Sequence, residues 1–116
     1  MRRRLPAVAF AAAVLLSAVV LFAPDAGRAG GVPHLDKVVH GALFALLTAT
    51  GTWWLRRPAV VCAGAGAYAV LSEVVQHVAL PNRAGDLTDV AADASGVLLA
   101  ALGALLVRRR ARSRGR

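Results

Sequence analysis

The chain has 116 residues, 58% of them hydrophobic, with a mean hydropathy of +0.60. A soluble domain of this length cannot bury so much apolar surface, so composition excludes an ordinary globular protein and points to an integral membrane protein. A formal net charge of +8 would suit nucleic acid, but the cations sit beside apolar runs rather than among aromatics on one face, which argues against that partner. Cys62, the single cysteine, excludes an intramolecular disulfide and any zinc-type Cys/His spacing.

Arg2, Arg3 and Arg4 open the chain. Leu5 to Ala23 follows without a charge, long enough to cross about 30 Å of hydrocarbon. The rival reading is a cleaved signal peptide with a cut near Ala26. The apolar run exceeds a signal h-region and the small-residue motif is poor, so a retained helix is expected. Pro24 to Leu35 is dense in breakers and reads as a loop. Val38 to Leu55 is the second span, with Asp36 as its N-cap, His40 one turn in on the same face, and Trp53 and Trp54 as an interfacial belt. Arg56-Arg57-Pro58 is a tight connection that makes the second and third spans antiparallel neighbours.

Ala59 to Leu80 is the third span. Gly64 and Gly66 near its start would allow a neighbouring helix to approach closely. Gly66, Ala69, Glu73 and Gln76 fall on one face, small first and polar later, as in a bundle interior. Pro81 to Gly85 is a turn, and Asp86 with Asp89 resembles a capping pair for the fourth span, Val90 to Val107. Asp89, Asp93, Gly96, Ala100 and Gly103 recur at steps of three or four and share a face of that span. Residues 108–116 form an arginine-rich tail, expected to be disordered in water and drawn to anionic lipid.

The fold class is therefore all-α: one domain over 1–116, with four transmembrane helices in an antiparallel bundle. Placing both termini in the cytoplasm leaves 11 cations inside and three (Arg28, Lys37, Arg83) outside, a strong positive-inside bias. All six acids and all three histidines then fall toward the outer side. The candidate site residues are Asp36, His40, Glu73, Gln76, Arg83, Asp86, Asp89 and Asp93.

Glu73 is the sharpest of them. It lies seven residues before Leu80, about 10 Å below the helix end, where a carboxylate must be paired, reached by water, or protonated. Arg83 is its natural partner, and a buried ion pair tying the last turn together is as good a reading as a ligand site. Asp36 and Asp86 serve equally as caps at the positive end of a helix dipole. Asp93 lies a turn deeper, where capping no longer serves. His40 could pair with Asp36 to move protons near neutral pH, or hydrogen-bond a headgroup or Glu73. His40, Glu73, Asp89 and Asp93 are ligand types a metal would accept, but no tight spacing supports a metal and no motif implies a cofactor.

Asp36-Lys37-Val38-Val39-His40 after a breaker loop, then Glu73-x-x-Gln76, then Arg83 with Asp86 and Asp89 before a helix carrying Gly96, resembles the VanZ-like membrane proteins. The resemblance covers residues 36–107. The chain departs from it at Asp93, where the family commonly has Asn. It departs also at His77-Val78, where an aromatic often follows the Gln, and at Asn82, where Gly typically precedes the Arg. The resemblance implies a multi-helix protein of the bacterial cytoplasmic membrane, in a family named for a member linked to low-level teicoplanin resistance, without a settled activity.

Three functions compete. An outer-leaflet polar pocket would bind a cell-envelope lipid, a peptidoglycan precursor or a glycopeptide-related ligand. A membrane-embedded enzyme would use Glu73 or the Asp36/His40 pair as general base with Arg83 stabilising negative charge, although Ser72 and Ser95 have no nucleophile motif. A small proton-coupled transporter would use Glu73, although the acids cluster at one face and no inverted repeat is visible. A structural or assembly subunit is the remaining option. Membrane lipids are the expected partners, and Gly96-x-x-x-Ala100 permits a homo-oligomer as readily as internal packing.

Overall fold

The computed structural model describes residues 2–22, 35–79 and 87–116. The expected loop at Pro24 to Leu35 (apart from Leu35 itself, which opens a helix), the end of the third span at Leu80, the turn at Pro81 to Gly85, and the site candidates Arg83 and Asp86 lie outside the described residues. Within them the chain is all helical, with no strand: α1 Arg4–Phe22, α2 Leu35–Leu55, α3 Pro58–Ala79 and α4 Leu87–Arg114. All four are long and apolar enough to cross a membrane.

The helix ends follow from local chemistry. Pro6 falls in the first turn of α1 and Pro58 opens α3, places where a missing N–H costs nothing. α2 ends at Leu55, and the next residue, Arg56, has a left-handed φ of 55°. The Arg56 N–H donates to the Thr52 carbonyl at 2.9 Å. That bond closes a helix with one left-handed residue, a place glycine usually takes. Only Arg56 and Arg57 separate α2 from α3.

α2 is the central element and packs against the other three; its most extensive interface is with α4. α1 also touches α3, and α3 touches α4, whereas α1 and α4 do not meet among the described residues. Phe44 and Leu21 are fully buried. Phe44 meets Tyr68 of α3 in a tilted ring contact, centres 5.6 Å apart, and Phe10 of α1 lies 5.6 Å from Trp54 of α2. Tyr68 also hydrogen-bonds Ser17 of α1 at 3.0 Å.

The distribution of polarity is inverted relative to a soluble protein. Ser17, His40, Thr48, Thr52, Ser72, Glu73, Gln76 and Asp93 are buried, while Leu15, Val70, Leu71, Leu98, Leu99 and Val107 are each more than half exposed. A protein whose outer solvent is hydrocarbon distributes its side chains this way: leucine and valine face lipid, and polar groups turn inward to satisfy one another.

Several expectations need correction. Asp36 is not an N-cap, because α2 already begins at Leu35 and Asp36 lies in its first turn. Gly64 and Gly66 do not mark a close crossing: both are exposed, and a Cβ on either would meet nothing within 4 Å. The buried stripe of α3 runs instead through Val61, Ala65, Ala69, Ser72, Glu73 and Gln76. The close crossing lies between α2 and α4. A Cβ on Gly96 would stand 2.1 Å from the Gly41 carbonyl oxygen. Finally, the arginine tail is helical to Arg114. Arginine and alanine are good helix formers, no breaker precedes Gly115, and cations favour a helix C-terminus.

Candidate functional site

The α2–α4 crossing at Gly41 and Gly96 sets the site. Glycine at both positions lets the backbones touch, so side chains on either side of the contact meet across it. His40 precedes Gly41, and Asp93 lies three residues before Gly96, on the same face. His40 Nδ1 and Asp93 Oδ1 are therefore 2.9 Å apart, with the two side chains 6% and 0% exposed. Asp93 Oδ2 is buried too and has no hydrogen-bond partner among the described residues. The expected Asp36/His40 pair is thus replaced by Asp93/His40. Asp36 shares a helix face with His40, but Asp93 reaches the imidazole from a second helix.

One turn toward the helix starts, Lys37 Nζ donates to Asp89 Oδ1 at 3.2 Å and to Asp36 Oδ2 at 3.4 Å. Its ammonium joins the first turns of α2 and α4, and Asp89 binds it from the third residue of α4. The sequence reading missed Lys37. The signal was available: it is the only lysine in a chain whose other cations are all arginine, and it is flanked by an acid.

Glu73 and Gln76 arrive from α3 on its buried stripe, 8% and 3% exposed. Glu73, like Asp89, is in electrostatic range of His40. Gln76 has a different task from Glu73. Its Nε2 donates at 2.6 Å to the carbonyl of Leu21, in the last turn of α1. A helix end leaves its last four carbonyls without intrahelical partners, and Gln76 supplies one from a neighbouring helix. The first helix, which carries none of the candidate site residues, thus contributes a backbone acceptor to the polar interior.

The described site residues converge on one end of the bundle: Asp36, Lys37 and His40 from the start of α2, Asp89 and Asp93 from the start of α4, and Glu73 and Gln76 from the last part of α3. The arginines of the N-terminal segment, the α2–α3 turn and the far part of α4 lie at the opposite end, where Arg56 and Arg108 line one groove. Chemically the cluster offers carboxylates, one imidazole and one ammonium in a partly dry setting, where each interaction is stronger than in water. No three His, Cys, Asp or Glu among the described residues are grouped so as to hold a metal ion. Comparison with known proteins finds no matching family model, no matching curated protein and no matching solved structure.

Proposed function

We propose that this chain is a VanZ-like integral membrane protein of the bacterial cytoplasmic membrane, its four helices running alternately up and down as an antiparallel bundle with both termini inside. Its polar end faces the outer leaflet and binds the polar headgroup of a cell-envelope lipid, a peptidoglycan precursor or a glycopeptide-related ligand. The observation that carries this reading is the segregation along the bundle: carboxylates, His40 and Lys37 at one end, arginines at the other. Positive charge stays cytoplasmic, so the acidic end is the one that meets envelope chemistry. Carboxylates there accept from amines and hydroxyls, and Lys37 contacts anionic groups, a role for which the sequence also offers Arg83.

A second reading is favoured by the His40–Asp93 contact at 2.9 Å. A buried carboxylate that orients an imidazole is the arrangement of a general base with its positioning residue. In that reading the same end performs acid/base chemistry on an envelope lipid.

The test is Glu73→Gln, scored as teicoplanin susceptibility of a sensitive host against the amount of folded protein in its membrane. The binding reading predicts that the parent protein shifts susceptibility and that the variant loses the shift at unchanged abundance. Joint loss of protein and effect makes Glu73 a structural residue, and a parent protein without effect removes the glycopeptide link.

A further inference from the structure

On the side of the Gly41–Gly96 crossing away from the polar cluster, α2 and α4 both line one groove. Its volume is about 670 Å³, and it lies toward the arginine end. Its walls are small: Ala49 on α2, and Ala100, Gly103 and Ala104 on α4. A Cβ on Gly103 would meet nothing within 4 Å, so the groove is open where that glycine stands. Its mouth is polar, because Arg56 and Arg108 both line it, with Thr52 and Trp53 beside them. A second groove, of about 340 Å³ between α1, α2 and α3, is lined by Phe10, Val14, Leu47, Val60 and Tyr68 among others and by no charged residue. Two cavities of one small bundle thus differ in kind, and the one between α2 and α4 has two arginines in its lining.

We propose that this groove is a binding site for an anionic phospholipid of the cytoplasmic leaflet, with the phosphate between Arg56 and Arg108 and an acyl chain lying along Ala100, Gly103 and Ala104. The inference rests on the reading that the helices span a membrane with the arginine end inside. Charge complementarity selects the occupant. Two arginines beside an apolar slot fit a molecule that is anionic at one end and hydrocarbon along the rest, and basic pockets between helices on the cytoplasmic side hold such headgroups. Trp53, 51% exposed at the rim, stands where an amphipathic ring meets the headgroup layer. Arg56 supports the assignment from the backbone. It occupies a left-handed position that glycine would take without strain, and glycine there would supply no guanidinium.

The experiment uses the full chain purified in detergent, titrated with phosphatidylglycerol or phosphatidylcholine and read by native mass spectrometry. The parent protein is expected to retain one phosphatidylglycerol per chain and to prefer it to phosphatidylcholine by about thirtyfold, as two guanidiniums near a headgroup imply. Arg56→Gln with Arg108→Gln abolishes that preference. Gly103→Leu fills the slot, leaves both arginines in place, and loses the bound lipid. Arg112→Gln with Arg114→Gln removes the same charge away from the groove and changes nothing. The proposal is overturned if the Arg112/Arg114 variant loses as much preference as the Arg56/Arg108 variant, since diffuse basic charge then suffices. It is overturned equally if Gly103→Leu keeps its lipid, or if the parent protein is a dimer that Gly103→Leu dissociates, which would make a second copy the occupant. A chain that stays soluble after alkaline extraction without detergent overturns the membrane reading first, and the lipid site with it.

Discussion

Replacing Gly96 by alanine adds one methyl group where the backbones of α2 and α4 touch. Its Cβ would lie 2.1 Å from the Gly41 carbonyl oxygen, 2.9 Å from the Gly41 carbonyl carbon and 3.0 Å from the Ala45 nitrogen. All three are backbone atoms of α2, so no rotamer change relieves the contact. Ordinary contact begins at 3.4 Å, so the helices must separate locally by about 1.3 Å. Asp93 is less than one helical turn from Gly96, and His40 adjoins Gly41. The same movement pulls on their 2.9 Å bond and weakens or breaks it. Overpacking costs about 1–3 kcal/mol, and loss of a hydrogen bond to a charged group about 1.5–3 kcal/mol. Gly96→Ala is therefore expected to destabilise the protein by about 2.5–6 kcal/mol, measured by sodium dodecyl sulfate titration of the micellar protein and followed by circular dichroism. Gly103→Ala, on the same face of α4 but open to the groove, meets no clash and is expected to leave stability unchanged or raise it by up to about 1 kcal/mol. Equal stabilities for the two variants would refute the crossing and the linkage of the site to it.

Three further outcomes follow from the same contacts. A double-mutant cycle of His40→Gln and Asp93→Asn is expected to give a coupling energy of about 1–3 kcal/mol in unfolding, and additive effects would mean that the two side chains do not meet. Gln76→Leu removes the donor to the Leu21 carbonyl and is expected to cost about 1–3 kcal/mol; faster hydrogen exchange confined to the end of α1 checks where the loss falls. Arg56→Gly relieves a left-handed arginine and is expected to stabilise the fold by about 1 kcal/mol in the same titration, while weakening the preference for phosphatidylglycerol, so that stability and lipid selectivity move in opposite directions.

The spans were legible because uninterrupted apolar runs and their proline and arginine boundaries are local features. Leu5 to Ala23 became Arg4–Phe22, and Val38 to Leu55 became Leu35–Leu55. The buried face of α4 through Asp93 and Gly96 was legible from periodicity, as were Ala69, Glu73 and Gln76 on α3. What one sequence does not carry is the register between helices. Asp36 shares the face of His40 and looked like its partner, yet the Gly41–Gly96 crossing delivers Asp93 instead. Gly64 and Gly66 failed for a related reason: small residues permit close approach without requiring it, and here that side of α3 is open. The tail failed because its charge density was weighed above the helix propensity of arginine and alanine.

Everything proposed for the polar cluster depends on which side of a membrane it faces. In a Cys62→Ala background, Leu87→Cys places a thiol at the 85% exposed first residue of α4, beside the cluster, and Arg112→Cys places one at the exposed arginine end. Intact cells expressing each variant are treated with a membrane-impermeant maleimide. The account predicts labelling of Leu87→Cys in intact cells and of Arg112→Cys only after permeabilisation. The reverse pattern, or equal labelling of both in intact cells, would contradict it.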